Sequence, residues 1–333
     1  MIRKIFQPFA NLLSTSTYIN LSGKGLILPF YHTVSDQYLP HIKHLYQYPN
    51  LKIFEKNLDY FLNNFTPVGP DYLLDCVSNP EKIKNNAFFL SFDDGFSQFY
   101  SEVAPILQKK GVPATIFINT NFVDNKSMFF RLKVSLIIDE IKNNTPTKAS
   151  IKAIENDLRY AGIAYSSAND LKKLTYSDEE LILKIANVLN IDFSEFLKKE
   201  KPYMSTDQIK ELAKKGFTIG AHSKSHPYYP TISEEQRIAE TNESMDFVID
   251  KFNQPLRLFS FPFTDYAMDK TFFDKINTDL SFGTANLKSD SIQNNFQRIG
   301  MEVSVNEHTE KIIKTEYMLF LIKKLMHRET INR

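Results

Sequence analysis

A recurring unit constrains this chain more than any other feature: a short apolar run of strand length, then a polar cluster, then a stretch with helical periodicity. The runs are Gly25–Phe30 (GLILPF), Ala87–Phe92 (AFFLSF), Ala114–Ile118 (ATIFI), Phe217–Ala221 (FTIGA), Leu256–Phe261 (LRLFSF) and Leu280–Thr284 (LSFGT). Their apolarity is continuous rather than alternating, which requires cover on both faces, and parallel strands flanked by helices provide it. Strand followed by helix, repeated, reads as an α/β fold with a parallel sheet or barrel. Ser205 with Gln208 and Ser233 with Gln236 predict capping boxes at helix starts. Gly111 and Gly216 stand where helices should stop before the next strand.

The rhythm breaks between about residues 126 and 204, where the pattern is helical throughout. Phe129 to Ile141 is amphipathic, and Ser177 with Glu180 predicts a further capping box. This stretch reads as an all-helical insertion in a βα loop, a common site for lids and substrate-selecting elements. A segment over 1–24 precedes the first strand. From 304 to 333 the pattern is that of a basic amphipathic helix, with Ile312, Ile313, Tyr317, Phe320, Leu321 and Leu325 apolar.

Charge excludes one class of partner. Among 333 residues, 40 Lys+Arg stand against 39 Asp+Glu, and nucleic-acid binding by phosphate neutralisation needs a concentrated basic excess. The single cysteine, Cys76, excludes internal disulfides and multi-cysteine metal sites and reads as a small buried hydrophobe. Arg3 and Lys4 lie near the N-terminus without an apolar signal-peptide core after them. No run approaches the roughly 20 apolar residues of a spanning helix. A cytoplasmic protein is expected. Its C-terminal helix either packs on the main body or makes peripheral membrane contact, with Lys311, Lys314, Lys323, Lys324 and Arg328 outward.

Polar residues gather just after the ends of the expected strands: His32, then Asp93 and Asp94, then His222 and His226, then Pro262 to Tyr266. Active sites of α/β barrels are built at that end. Two adjacent carboxylates leaving a buried strand are costly unless a cation or a special role compensates, although an Asx-type turn or a helix N-cap also uses such a pair. Two histidines four apart meet on one face if the segment coils into a helical turn. Joined by a carboxylate, they form a divalent-metal ligand set with positions left open for water and substrate.

These residues carry a family resemblance. Ser91–Gly95 (SFDDG) resembles the TFDDG motif of the polysaccharide deacetylases, the NodB-homology group of carbohydrate esterase family 4. His222–His226 (HSKSH) matches their HSxxH motif, and Phe259–Tyr266 (FSFPFTDY) resembles the third motif of the branch that reads FAYPFGxY. Phe30–Val34 (FYHTV) is similar to the YHxV segment of that branch. The likeness spans about 25–303, with the helical insertion outside it.

The resemblance implies a distorted (β/α)7-type barrel and a metal-dependent N-deacetylase of amino sugars in a glycan or glycan precursor, with an N-acetylated carbohydrate as its partner. Asp94, His222 and His226 would bind a divalent ion, usually Zn2+. Asp93 would be the general base toward water, and a backbone N–H near Phe263 or Thr264 would help hold the oxyanion, with Tyr266 near the substrate. Two departures stand out. The late histidine that commonly supplies the general acid is poorly matched by His308, which leaves His32, the early histidine of the YHxV branch. Where many members place an arginine that orients the base, this chain has Ser260; Arg298 is the substitute expected to hold Asp93 by a bidentate pair. His41 and His44, in a polar tyrosine-rich loop, are expected to face solvent. Other amides or an O-acetyl group are alternative substrates for the same chemistry, and a catalytically silent glycan-binding barrel is the alternative from another class.

Overall fold

The structure, a computed structural model, describes residues 6–302 and 308–333. The boundary expected between 303 and 304, and the Arg3–Lys4 pair, lie outside the described residues. The described residues form two compact units, one from 6–36, 48–123, 203–302 and 308–333, the other from 37–47 and 124–202.

The first unit is organised by an eight-stranded parallel sheet. Its strands are β1 (Pro29–Tyr31), β2 (Leu90–Phe92), β3 (Ala114–Ile118), β4 (Thr218–Ala221), β5 (Leu258–Ser260), β6 (Leu280–Gly283), β7 (Asn295–Gln297) and β8 (Ile299–Gly300). Their order in space is β7-β6-β5-β4-β3-β2-β1-β8. The two edge strands are consecutive in sequence and separated by Arg298 alone. Arg298 N–H bonds Gly283 O at 3.1 Å on one edge, and Ile299 N–H bonds Leu28 O at 2.8 Å on the other. The sheet is thus a nearly closed barrel, and it has eight strands rather than seven because the closing segment is divided at Arg298. Leu26–Ile27, Ala87–Phe88 and Thr66–Pro67 form a small parallel sheet.

Local chemistry fixes the helices between strands. Both expected capping boxes are present, at Ser205–Gln208 and Ser233–Gln236, opening helices Thr206–Lys214 and Glu234–Phe252. Gly111 ends its helix in the left-handed conformation. The C-terminal helix, Thr309–Leu325, is buried at every position from Ile312 to Tyr317 and packs against Gln7–Leu12 and Thr15–Ser22. This corrects the expectation of a one-sided amphipathic helix. Lys314, expected outward, is only 7% exposed and pairs with Glu310 at 2.7 Å. Beyond the helix, Thr330–Ile331 pairs in parallel with Ser289–Asp290. No helix among the described residues is long and apolar enough to cross a membrane.

The second unit contains no strand among its described residues. Its longer helices are Phe130–Asn143, Lys148–Tyr160, Glu179–Val188 and Phe193–Glu200, and Ile137, Ile138, Ile154, Leu158, Leu171, Ile182 and Ile185 are fully buried within it. A capping box forms at Thr175–Asp178, two residues before the expected pair Ser177 and Glu180. The segment 37–47 belongs to this unit, so its histidines do not face solvent. His41 is 3% exposed with its ring centroid 5.5 Å from that of Phe196, and His44 Nε2 lies 2.8 Å from Asp139 Oδ1.

Candidate active site

The turn after β2 sets the two carboxylates. Asp93 N–H bonds Tyr31 O at 2.9 Å and so extends the ladder by one residue. Asp94 and Gly95 then take φ of 71° and 69°, which reverses the chain and sends the two side chains in different directions. Glycine suits position 95, where φ is positive and a Cβ would lie a tight 3.0 Å from Ile118 Cγ2.

Asp93 faces Arg298. The guanidinium donates from NH1 to Oδ1 and from NH2 to Oδ2, both at 2.8 Å, and also to the Ser91 and Ser260 hydroxyls at 3.0 and 2.6 Å. Arg298 is completely buried, its guanidinium carbon 4.3 Å from the Phe30 ring centroid. Buried arginine is tolerated where carboxylate and aromatic partners are fixed in place. Serine at 91 and 260 leaves the volume that the guanidinium fills. Burial alone would raise the Asp93 carboxyl, but Arg298, with smaller help from His222 and His32, brings it down to about 2.

Asp94 faces the two histidines. Its Oδ1 is buried without a hydrogen-bond partner, 3.6 Å from His222 Nε2 and 3.4 Å from His226 Nε2. The two ring nitrogens are 3.2 Å apart. His222 donates Nδ1–H to Ser260 O at 2.7 Å, which leaves the Nε2 lone pair directed at Asp94. The loop between the histidines is not a helical turn: Ser223 and His226 have φ of 64° and 57°, and Glu240 accepts the N–H groups of Lys224 and Ser225 at 2.8 and 2.9 Å. A bent loop held by a glutamate, rather than helical spacing, brings the imidazoles together.

This donor set fits a divalent metal. Three donors at about 2.1 Å from a tetrahedral ion are separated by edges of roughly 3.4 Å, close to the spacings observed. Burial pushes the Asp94 carboxyl up and the His226 imidazole well down. A cation between them stabilises both the ionised carboxylate and the neutral ring.

His32, one residue past β1, sits beside this pair. Its Nδ1 is 2.5 Å from Glu302 Oε2, while Glu302 Oε1 accepts the backbone N–H groups of His32 and Thr33 at 2.9 and 3.0 Å. Burial works against a charged His32, but Glu302, followed by Asp94 and Asp93, outweighs it and raises the ring to about 9. Glu302 and Glu240 are the residues that sequence reasoning missed. Glu302 was within reach of the strand-end rule, since it lies two residues past β8, but a strand of two residues gives no apolar run to find.

The Pro262–Tyr266 segment contributes unequally. Phe263, at φ 60°, lays its ring 4.7 Å from His226 and 5.7 Å from Tyr228. Thr264 N–H donates to Pro262 O at 2.6 Å and closes a γ-turn around Phe263, a strained conformation for a residue with a side chain. That amide is therefore not directed at a substrate, contrary to one of the two donors expected there. Tyr266 is 74% exposed and outside the buried cluster. His308 is exposed at the start of the C-terminal helix.

The profile of the polysaccharide deacetylase family matches residues 81–277, which takes in the strand ends bearing Asp93, Asp94, His222, His226 and Phe263, and the chain belongs to that family. Fold and family together make it a deacetylase hydrolase acting on carbohydrate. Similar solved structures include the Streptococcus pyogenes deacetylase PplD in complex with acetate, with 15% identity, TM-score 0.56, and 87% of this chain and 97% of that chain covered. IcaB from Ammonifex degensii shares 15% identity at TM-score 0.53, over 88% of this chain and 97% of that one. The de-N-acetylase from Aggregatibacter actinomycetemcomitans shares 14% identity at TM-score 0.51, over 87% and 99%. No curated protein matches the chain.

Proposed function

We propose that this protein is a metal-dependent N-deacetylase that hydrolyses the acetamide of an amino sugar in a glycan or glycan precursor, releasing acetate and a free amine. The observation that carries the reading is the buried trio Asp94, His222 and His226, with the unpartnered Asp94 Oδ1 directed at two imidazole nitrogens 3.4 and 3.6 Å away. These three residues would hold a divalent ion, zinc in the usual case, and its chemistry there would be that of a Lewis acid that lowers the pKa of water and polarises an amide carbonyl.

The remaining roles fall to the chain itself. Asp93 stays ionised because Arg298 holds it low, and it accepts the proton that the attacking water loses. Arg298 fixes both carboxylate oxygens, so the base cannot swing toward Asp94. His32, kept protonated by Glu302 at Nδ1, gives the Nε2 proton to the nitrogen as the C–N bond breaks. Phe263 and Tyr228, 37% and 38% exposed, present two aromatic faces beside His226 against which a sugar ring can lie.

Acetate and primary amine should appear together from N-acetylglucosamine oligomers on addition of Zn2+, and Asp93→Asn and His32→Ala should each suppress both by at least about a hundredfold. Acetate from O-acetylated sugars alone would replace the amide reading with an esterase. Metal binding with no turnover of either class would leave the glycan-binding barrel.

A further inference from the structure

Beyond the residues that surround the metal trio, a second buried charge network underlies the loop that carries Phe263. Asp265, 2% exposed, follows Phe263 by two positions, and its Oδ2 accepts from Asn295 Nδ2 at 2.9 Å and Gln297 Nε2 at 2.6 Å. The same two amides donate to Asp290 Oδ2 at 3.0 and 2.9 Å. Two carboxylates therefore converge on shared neutral donors, an arrangement that repels itself unless a cation enters. Arg333 is that cation. Its NH2 donates to Asp265 Oδ2 and to Asp290 Oδ2, the latter at 2.7 Å, and its NH1 donates to the backbone carbonyls of Asp265 at 2.6 Å and Met268 at 3.1 Å. The guanidinium carbon lies 5.2 Å from the Phe273 ring centroid, and the side chain is 4% exposed. Strand pairing of Thr330–Ile331 with Ser289–Asp290 delivers it to this place.

The contacts are directed at the loop 262–268 rather than at the chain end. Arg333 holds the Asp265 side chain, its carbonyl and the Met268 carbonyl, and Thr284 Oγ1 donates to Phe263 O at 3.1 Å. Between these anchors the backbone keeps φ of 60° at Phe263 and 67° at Ala267, both disfavoured for residues with a side chain. Strain of this kind persists only where the surroundings over-determine it. There is little slack nearby, since a Cβ at Gly283 would come within 2.3 Å of Asp265 Oδ2.

We infer that Arg333 is a positioning residue for the active site: by neutralising Asp265 and Asp290 it holds the strained 262–268 loop, and so keeps the Phe263 ring against the ligand histidine His226. The inference rests on the metal-site reading above, but the readout that decides it, Zn2+ affinity, needs no turnover.

The experiment compares the full-length wild type with Arg333→Ala, Arg333→Lys and the charge-free triple variant Arg333→Met/Asp265→Asn/Asp290→Asn. Zn2+ affinity is read by competition with a chromophoric chelator, and kcat and KM are read separately on the N-acetylated oligomers. Arg333→Ala should weaken Zn2+ binding at least fivefold and lower kcat more than it raises KM, and about 10 mM guanidinium ion should restore part of the affinity, because it can enter the vacated site. Arg333→Lys should lie between Arg333→Ala and wild type. The triple variant removes the buried charges together and keeps the test decisive if Arg333→Ala does not fold; it should remain folded yet still bind Zn2+ more weakly. Unchanged Zn2+ affinity in a folded Arg333→Ala or triple variant overturns the inference, whether or not the wild type deacetylates anything. Failure of the N-deacetylase reading would instead appear as an inactive wild type whose Zn2+ affinity still responds to Arg333.

Discussion

Arg298 holds both oxygens of Asp93 at 2.8 Å from the single residue at which the two edges of the barrel sheet meet. Closure of the fold, through its backbone, and orientation of the proposed base, through its guanidinium, thus meet in the same residue. Arg298→Lys retains a charge but cannot span two oxygens and two serine hydroxyls from a point. It should lower kcat by about one to two orders of magnitude with KM little changed, and shift the thermal midpoint modestly. Arg298→Met leaves Asp93 buried and unpaired and should cost about 3–5 kcal/mol of stability, read by urea denaturation. A Lys variant with wild-type kcat would show that Asp93 needs no bidentate partner.

The proposed ligand trio of Asp94, His222 and His226 gives a direct prediction in elemental analysis. Wild type should carry close to one equivalent of divalent metal, and Asp94→Ala and His222→Ala should each lose it, because either change leaves only two of the three donors. Ser260 makes the weaker case informative. Its backbone carbonyl, not its hydroxyl, orients His222, so Ser260→Ala should leave metal content intact while loosening Arg298. Retention of stoichiometric metal by Asp94→Ala would remove that carboxylate from the ligand set.

Most of this barrel is legible in the chain because its strands lie within continuous apolar runs whose ends bear the candidate site residues. Asp93, Asp94, His222 and His226 lie where such runs stop. The closing strands are different. Asn295–Gln297 is polar at two of its three positions, and Arg298 separates it from the two residues of Ile299–Gly300, so no apolar run marks this segment or points to Glu302 beyond it. The helix Thr309–Leu325 misled for the opposite reason. Its lysines suggested an outer face, yet tertiary packing buries Lys314 beside Glu310, an outcome that depends on partners distant in sequence.

Glu302 sets the alkaline limit of activity if His32 is the acid. A general acid works while protonated, so kcat/KM should fall as pH rises through the His32 pKa, which Glu302 and the nearby aspartates lift to about 9 against the effect of burial. Glu302→Gln keeps an acceptor for the His32 and Thr33 amides but removes the charge. The alkaline limb should then move to lower pH by at least about one unit, with kcat at pH 6 reduced less than at pH 8. An unmoved limb in a folded Glu302→Gln would assign that limb to another group.

The helical unit should be sensitive to acid through His41. Burial lowers this imidazole to about 4, whereas in the unfolded chain it titrates near 6.5. Between those values the unfolded state binds the proton and the folded state does not, so stability is complete above about pH 6.5 and declines as pH falls toward 4. The loss available from this group is of order 3 kcal/mol. With Trp absent from the sequence, far-UV circular dichroism in urea is the suitable probe, since the helices Phe130–Asn143 and Phe193–Glu200 supply much of its signal in this unit. His41→Leu removes the titration while keeping an apolar contact with Phe196, so its stability should be flatter between pH 7 and 5 than that of wild type. Parallel pH profiles for the two proteins would mean that His41 takes up its proton in the folded state as readily as in the unfolded one.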